Sequence, residues 1–282
     1  MRNKILYVYT ENLNFFYKLN NELKRLNIRF KILNIDGRLP YYPSLILTTS
    51  EDDLKFKNFN ENVKLIKYFK DDNFYYYILK VLAAYRIYYR DYYSKLTFSI
   101  DPGTKHIGLV IFLDDYFLNS HTIYDKKSFI VIIKDYVTCF QKKNSNLIEL
   151  TFKFGRGILP MTLELVKEIY DAFESRNKLK VFLIDESRSS KIKIQDIKKR
   201  KMSKHEVSAL ILAFRKGIEI NDFNIIKQNK LQKSNNQENI ETQNEEINES
   251  LIDLREIIEK VLDNEISLSK SIKMLKTDKF WF

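Results

Sequence analysis

The sequence predicts an α/β chain: a core with a mixed sheet, three antiparallel strands followed by parallel strands and helices, preceded by a small α/β domain and followed by a flexible helical tail. Three observations carry this. Leu96 to Leu118 reads strand, tight turn, strand, because one apolar run reaches Asp101, turns through Pro102 and Gly103, and a second begins at Ile107. On either side, short apolar runs alternate with stretches of helical period. From Asn224 to Glu249 the composition shifts to Asn, Gln, Lys and Glu with few apolar residues, the signature of a flexible linker. The expected domains are 1–95, 96–217 and 218–282.

Hydrophobic residues make up 44% of the chain, enough for a real core, and 48 Lys and Arg against 37 Asp and Glu leave a net charge of +11. That balance favours polyanionic partners such as nucleic acid. The excess of Asn, Ile, Lys and Tyr also has the look of AT-rich coding bias, which raises Lys without function. Cys139 is the single cysteine, which excludes an intrachain disulfide and a cysteine-based zinc cluster. His106, His121 and His205 lie far apart without zinc-ligand spacing. MRNKILYVYTEN lacks the apolar core of a signal peptide, and no run approaches a membrane span, so a cytoplasmic protein without membrane partners is expected.

Lys4 to Thr10 reads as a buried strand, Asn14 to Leu26 as a helix with Phe16, Leu19, Leu23 and Leu26 on one face, and Ile28 to Leu33, Ser44 to Thr49 and Val63 to Ile66 as further strands. This small unit carries no glycine-rich phosphate loop. Asn73 to Ser94 follows as a helix rich in tyrosine, whose stripe from Phe74 through Tyr85 to Tyr92 is read as packing rather than base stacking.

Within the core, Asp101 is expected at a strand end, where a rigid sheet holds a carboxylate that suits a metal ion or phosphate. Gly103 and Gly108 lack a Cβ and so allow close approach from above. A third strand near Asp115 to Ile123 and a helix from Lys126 to Gln141 follow. Asn146 to Leu150 reads as a strand interrupted by Glu149, and a carboxylate in an apolar strand is costly unless paired or metal-bound. KFGRG reads as a basic glycine turn before the helix Leu159 to Phe173, either an ordinary loop or one in which Lys153 and Arg156 hold a phosphate at the helix start. Lys180 to Ile184 is the next strand, ending in Asp185 and Glu186. Lys193, Lys198, Lys199, Arg200, Lys201 and Lys204 form a dense basic strip suited to phosphates, followed by the helix Lys204 to Lys216. On that helix His205 and Ser208 share a face, with Glu206 about 100° away. Ser250 to Val261 and Ser267 to Leu275 read as short amphipathic helices of an interaction tail.

The segment from Asp101 to Gly108 resembles the first motif of the RuvC and YqgF (RuvX) branch of the RNase H-like nucleases, with Asp101, Gly103, Lys105 and Gly108 on the motif and His106 where YqgF has Arg. Ile148 and Glu149 resemble the RuvC strand ending in a metal-binding glutamate. DESRSS resembles the D-E-R-L-T-T/S motif of YqgF, with Ser187 in place of Arg. In the last helix His205, Ala209 and Leu210 match RuvC, but Ser208 replaces its catalytic Asp, while Glu206 and Ala209 match the YqgF spacing. The resemblance implies phosphodiester hydrolysis with Mg²⁺ or Mn²⁺ held by Asp101, Glu149 or Glu186, and Glu206, with His205 as ligand or proton carrier and Lys105 and the basic strip on the phosphates. It implies branched DNA or structured RNA as substrate, roles in recombination or repair such as junction resolution, and a homodimer. Ser208 leaves open a protein that binds nucleic acid without cutting it. The D-x-G-T-x-x-G shape also resembles the first phosphate loop of actin-like ATP-binding proteins, but no second glycine-rich phosphate motif follows.

Overall fold

The structure is a computed structural model that describes residues 5–34, 44–56, 63–87, 89–90, 92–141, 148–173, 176, 178–186, 202–220 and 245–275, with side chains from 254 onward in the last stretch. The chain is α/β and divides into two compact units, Met1–Tyr92 with Thr138–Lys142, and Tyr93–Val137 with Lys143–Phe282.

In the first unit, β1 (Ile5–Val8), β2 (Phe30–Ile32), β3 (Ser44–Thr49) and β4 (Val63–Tyr68) form a parallel sheet in the order β2-β1-β3-β4. Helix α1 (Leu13–Arg25) buries Phe15, Leu19 and Leu23, an i, i+4, i+8 row; the expected Phe16 is one residue round the helix and only partly buried. The ends of β1 and β3 are clasped by Asp52, whose Oδ2 accepts from Thr10 Oγ1 (2.7 Å), Thr49 Oγ1 (2.8 Å) and Glu11 N (3.1 Å). Helix α2 (Phe74–Ile87) stops short of the expected Ser94 and buries Tyr77, Ile78, Leu79, Val81, Leu82, Ala83, Ala84 and Ile87. Tyr77 donates its hydroxyl to the Ile66 carbonyl (3.2 Å), and Phe15 stacks on Tyr68, so these rings pack within the unit. Of the predicted stripe, Ile78 and Leu82 are buried, whereas Tyr89 and Tyr92 follow the end of the helix and are exposed.

The second unit holds the mixed sheet. Strands β5 (Lys95–Pro102), β6 (Ile107–Leu113) and β7 (Tyr116–Ile123) are antiparallel; after α3 (Lys126–Gln141), β8 (Glu149–Gly155) and, after α4 (Leu159–Phe173), β9 (Leu179–Ile184) run parallel to β5. With β10 (Ile218–Glu219) the order is β10-β9-β8-β5-β6-β7. One sheet face packs Phe152 against Phe173 of α4 and Phe154 against Phe129 of α3. The opposite face, with Val110, Phe112 and Phe117, is covered by α5 (Lys204–Phe214), α6 (Glu245–Leu262) and α7 (Leu268–Leu275).

Two further elements differ from expectation. Strand β8 starts at Glu149 rather than ending just after it, and it absorbs the predicted basic turn up to Gly155. Thr151, Phe152 and Phe154 are buried, so the strand continues through Lys153. The C-terminal helices are part of the core: Leu254, Ile257, Ile258, Val261 and Leu262 are buried at helical spacing, and the Asp115 carbonyl accepts from Leu268 N (2.7 Å). Of the predicted linker Asn224 to Glu249, residues 224–244 lie outside the described residues, and residues 245–249 open α6 instead of continuing a linker.

Candidate functional site

The site is built on one row across the sheet. Register pairs Thr122 on β7 with Gly108 on β6, and Gly108 with Asp101 on β5; continuing the β5·β8 register by one residue brings Gly155 beside Asp101. Asp101 thus stands between two glycines. A Cβ at Gly108 would lie 2.0 Å from the His205 carbonyl oxygen, so the first turn of α5 rests directly on β6. At Gly155 a Cβ would lie 1.9 Å from Glu186 Oε1, so that carboxylate occupies the space over β8. Adjacent strands are about 4.8 Å apart, which puts the Glu186 carboxylate next to Asp101.

Helix α5 starts where it does because Ser203 caps it: its Oγ accepts from Glu206 N (3.2 Å), the S-x-x-E signature of a helix start. His205 then faces β5, and its Nδ1 is 2.9 Å from Asp101 Oδ2. Glu206, about 100° round the helix, faces β7 instead. Its Oε1 accepts from Thr122 Oγ1 (2.6 Å) and its Oε2 from Ser120 Oγ (2.8 Å). Thr122 is two strands from Asp101 in the row, about 10 Å away. The structure therefore ties Glu206 to the sheet edge, and the sequence-based expectation of a ligand beside Asp101 does not match that placement.

Glu186 turns inward while Asp185 turns out. Gly157 N donates to Glu186 Oε1 (3.0 Å), Arg156 bonds the Asp185 carboxylate, and Arg215 Nη1 donates to the Asp185 carbonyl (2.7 Å). Burial pushes the Asp101 carboxyl up, and the hydrogen bond and charge of His205 and the charge of Lys204 only partly oppose it. Glu186 is likewise raised, by burial and by the charges of Asp101 and Asp185, against the Gly157 amide and Arg215.

Other expected residues fall elsewhere. Glu149 is paired in register with Lys95, six residues before Asp101 on β5, which is about 20 Å along the strand. There it takes a hydrogen bond from Thr151 Oγ1 (3.2 Å) and an ion pair from Lys180 (3.2 Å), so it is not part of the Asp101 group. Lys153 does not face a phosphate. Its amine is buried under α5 and donates to the carbonyls of Ala213 (2.5 Å) and Arg215 (2.9 Å), and burial with the nearby Lys95 charge lowers its pKa to about 8. Lys105 and Lys204 are exposed near the row, and Arg156 is engaged with Asp185. Lys193, Lys198, Lys199, Arg200 and Lys201 lie outside the described residues, as do Ser187 to Ser190.

Sequence reasoning missed three contributors: Gly155 and Gly157, which seat Glu186, and His106, whose ring lies 5.8 Å from that of His205. The glycines' role depends on sheet register, and His106 drew notice only for its lack of zinc-ligand spacing and as a departure from a motif. Asp101 and Glu186 are the carboxylates brought together, and they are the side chains that could share a cation. Among the described residues no group of three or more His, Cys, Asp or Glu side chains is arranged to hold a metal ion, and no helix is long and apolar enough to cross a membrane. No protein-family model matches the chain, and no curated protein matches it.

Proposed function

We propose that this chain is a metal-dependent nuclease of the RNase H-like kind, related to the RuvC and YqgF branch, acting on branched DNA or structured RNA. The observation that carries the reading is the pair Asp101, buried, and Glu186, half-buried, two carboxylates side by side over glycines at the end of a rigid strand row, each raised in pKa. Such a pair repels itself unless a proton or a cation lies between its members, and a hard divalent cation fits that donor set. The antiparallel trio followed by a helix and parallel strands supports the same reading. Asp101 and Glu186 would hold Mg²⁺ or Mn²⁺. A bound ion of this type supplies a Lewis acid and a water nucleophilic at neutral pH.

The remaining roles fall to the chain itself. The Asp101 hydrogen bond fixes the His205 ring and commits Nδ1, so Nε2 is the atom through which it takes or gives a proton. Lys105 and Lys204 attract the phosphate backbone, with the basic strip before Lys204 adding to this. A second reading, nucleic-acid binding without cleavage, is favoured by Glu206, whose carboxylate is already satisfied by Ser120 and Thr122, and by Ser208.

Cleavage of labelled four-way junction, duplex, single-stranded DNA and a structured RNA in Mg²⁺ and Mn²⁺ tests the first reading. Cutting that disappears in Asp101→Asn is the expected result. Salt-sensitive binding without cutting in either metal replaces it with the second reading.

A further inference from the structure

The ring of Tyr124 is 73% exposed, beside the site rather than on a remote surface. It meets His106 edge to face, with centroids 4.8 Å apart and planes at 78°. His106 in turn stands 5.8 Å from His205, and His205 bonds Asp101, so a row of rings leads from the carboxylate pair out to solvent. The tyrosine is held on both sides. Before it, Ile123 ends β7 in register with Ile107; after it, Asp125 caps α3, its carboxylate accepting from Ser128 N (2.8 Å) and Ser128 Oγ (2.6 Å). An edge-to-face contact engages one side of a ring, so at least one face of Tyr124 is open.

A fixed, open aromatic face flanked by exposed Lys105 suits a flat π-system attached to a phosphate backbone. In a continuous duplex each base face is covered by its neighbours, so only an unpaired or terminal base presents a face to stack. We propose that Tyr124, backed by His106, is a stacking platform for one unpaired nucleobase beside the scissile phosphate. The chain would then engage nucleic acid at a flap, loop or branch point in preference to continuous duplex. This rests on the nucleic-acid reading above and narrows its substrate.

The test uses the full chain in EDTA, so that cleavage does not interfere. The probes are oligonucleotides with 2-aminopurine in a flap, in a hairpin loop, or within a fully paired duplex. The expected result is tighter binding of flap and loop than of duplex, with a fluorescence change on binding from stacking of the unpaired probe base. Tyr124→Ala should weaken flap and loop binding about tenfold and abolish the fluorescence change, while duplex binding stays at the wild-type level, which also shows that the variant is folded. Tyr124→Phe should behave as wild type. Equal binding of all probes by wild type and Tyr124→Ala, with unchanged fluorescence, overturns the platform and leaves the nucleic-acid reading standing. No binding of any probe by wild type overturns both.

Discussion

Asp101 illustrates how much of the site one residue determines, and how much depends on its neighbours. Its side chain is buried, touches His205, and faces Glu186 across one strand spacing. A carboxyl whose folded pKa is raised contributes stability below its unfolded pKa and loses it as pH rises through the folded value, so at neutral pH Asp101 destabilises the fold. Asp101→Asn keeps an acceptor for His205 and removes the buried charge. The variant should melt about 2–4 °C above wild type at pH 7, a gain of about 1 kcal/mol, and the gain should vanish near pH 3. Calorimetry at both pH values checks this, and a lower melting point at pH 7 would contradict it. Asp101 was legible in the sequence because a charged residue between apolar runs, followed by Pro-Gly, marks a strand end. Glu149 misled for the same reason: a carboxylate after Leu-Ile reads as a strand end, whereas here it opens the strand, and only pairing with Lys95 reveals which end of the sheet it occupies.

Among the elements, α5 decides the site's geometry. It is fixed at its start by Ser203, by Gly108 beneath it and by the Glu206 bonds to β7, and at its end by Lys153, whose amine lies against the last carbonyls. A lysine there meets the negative end of the helix dipole, yet burial still lowers its pKa from 10.5 to about 8. Between these values the unfolded chain binds more protons than the folded one, so Lys153 makes stability rise with pH, by up to about 3 kcal/mol. Urea unfolding at pH 7.5 and pH 10 should show this rise in wild type relative to Lys153→Met. Parallel pH profiles for the two proteins would show that the buried amine is not the cause. The helix itself was legible from its apolar run, though not its Ser203 cap. Strand β8 was not, because Lys153 and the two glycines of KFGRG imitate a loop, and the carbonyls at the end of α5 that let the Lys153 amine sit in this central strand come from sixty residues later in sequence.

At the scale of the whole chain, the second unit needs its C-terminal helices. Leu254, Ile257, Ile258, Val261 and Leu262 cover the same face of the sheet as α5, against Val110, Phe112 and Phe117. Their amphipathic spacing was legible, but the surface that receives them is more than a hundred residues earlier in sequence, so they read as an interaction tail. A chain ending at residue 244 should lose more than about 5 kcal/mol, from at least five buried aliphatic side chains at about 1.5–3 kcal/mol each. A urea midpoint equal to that of the full chain would show the helices to be dispensable. The α/β alternation and the antiparallel trio were legible because each strand and turn carries its own local signal. The grouping of Asp101 with Glu186, and not with Glu149 or Glu206, required the sheet register and the helix rotation.

The most direct measurement is metal-dependent cleavage of a labelled four-way junction and a structured RNA in Mn²⁺ by wild type, Glu186→Gln and Glu149→Gln. With Asp101 and Glu186 as the functional carboxylates, Glu186→Gln should lose at least about a hundredfold in rate, equivalent to about 3 kcal/mol of barrier, while Glu149→Gln stays near wild type. Loss of cutting in Glu149→Gln with Glu186→Gln active would contradict the site described, and absence of cutting by wild type on every substrate would contradict the nuclease itself.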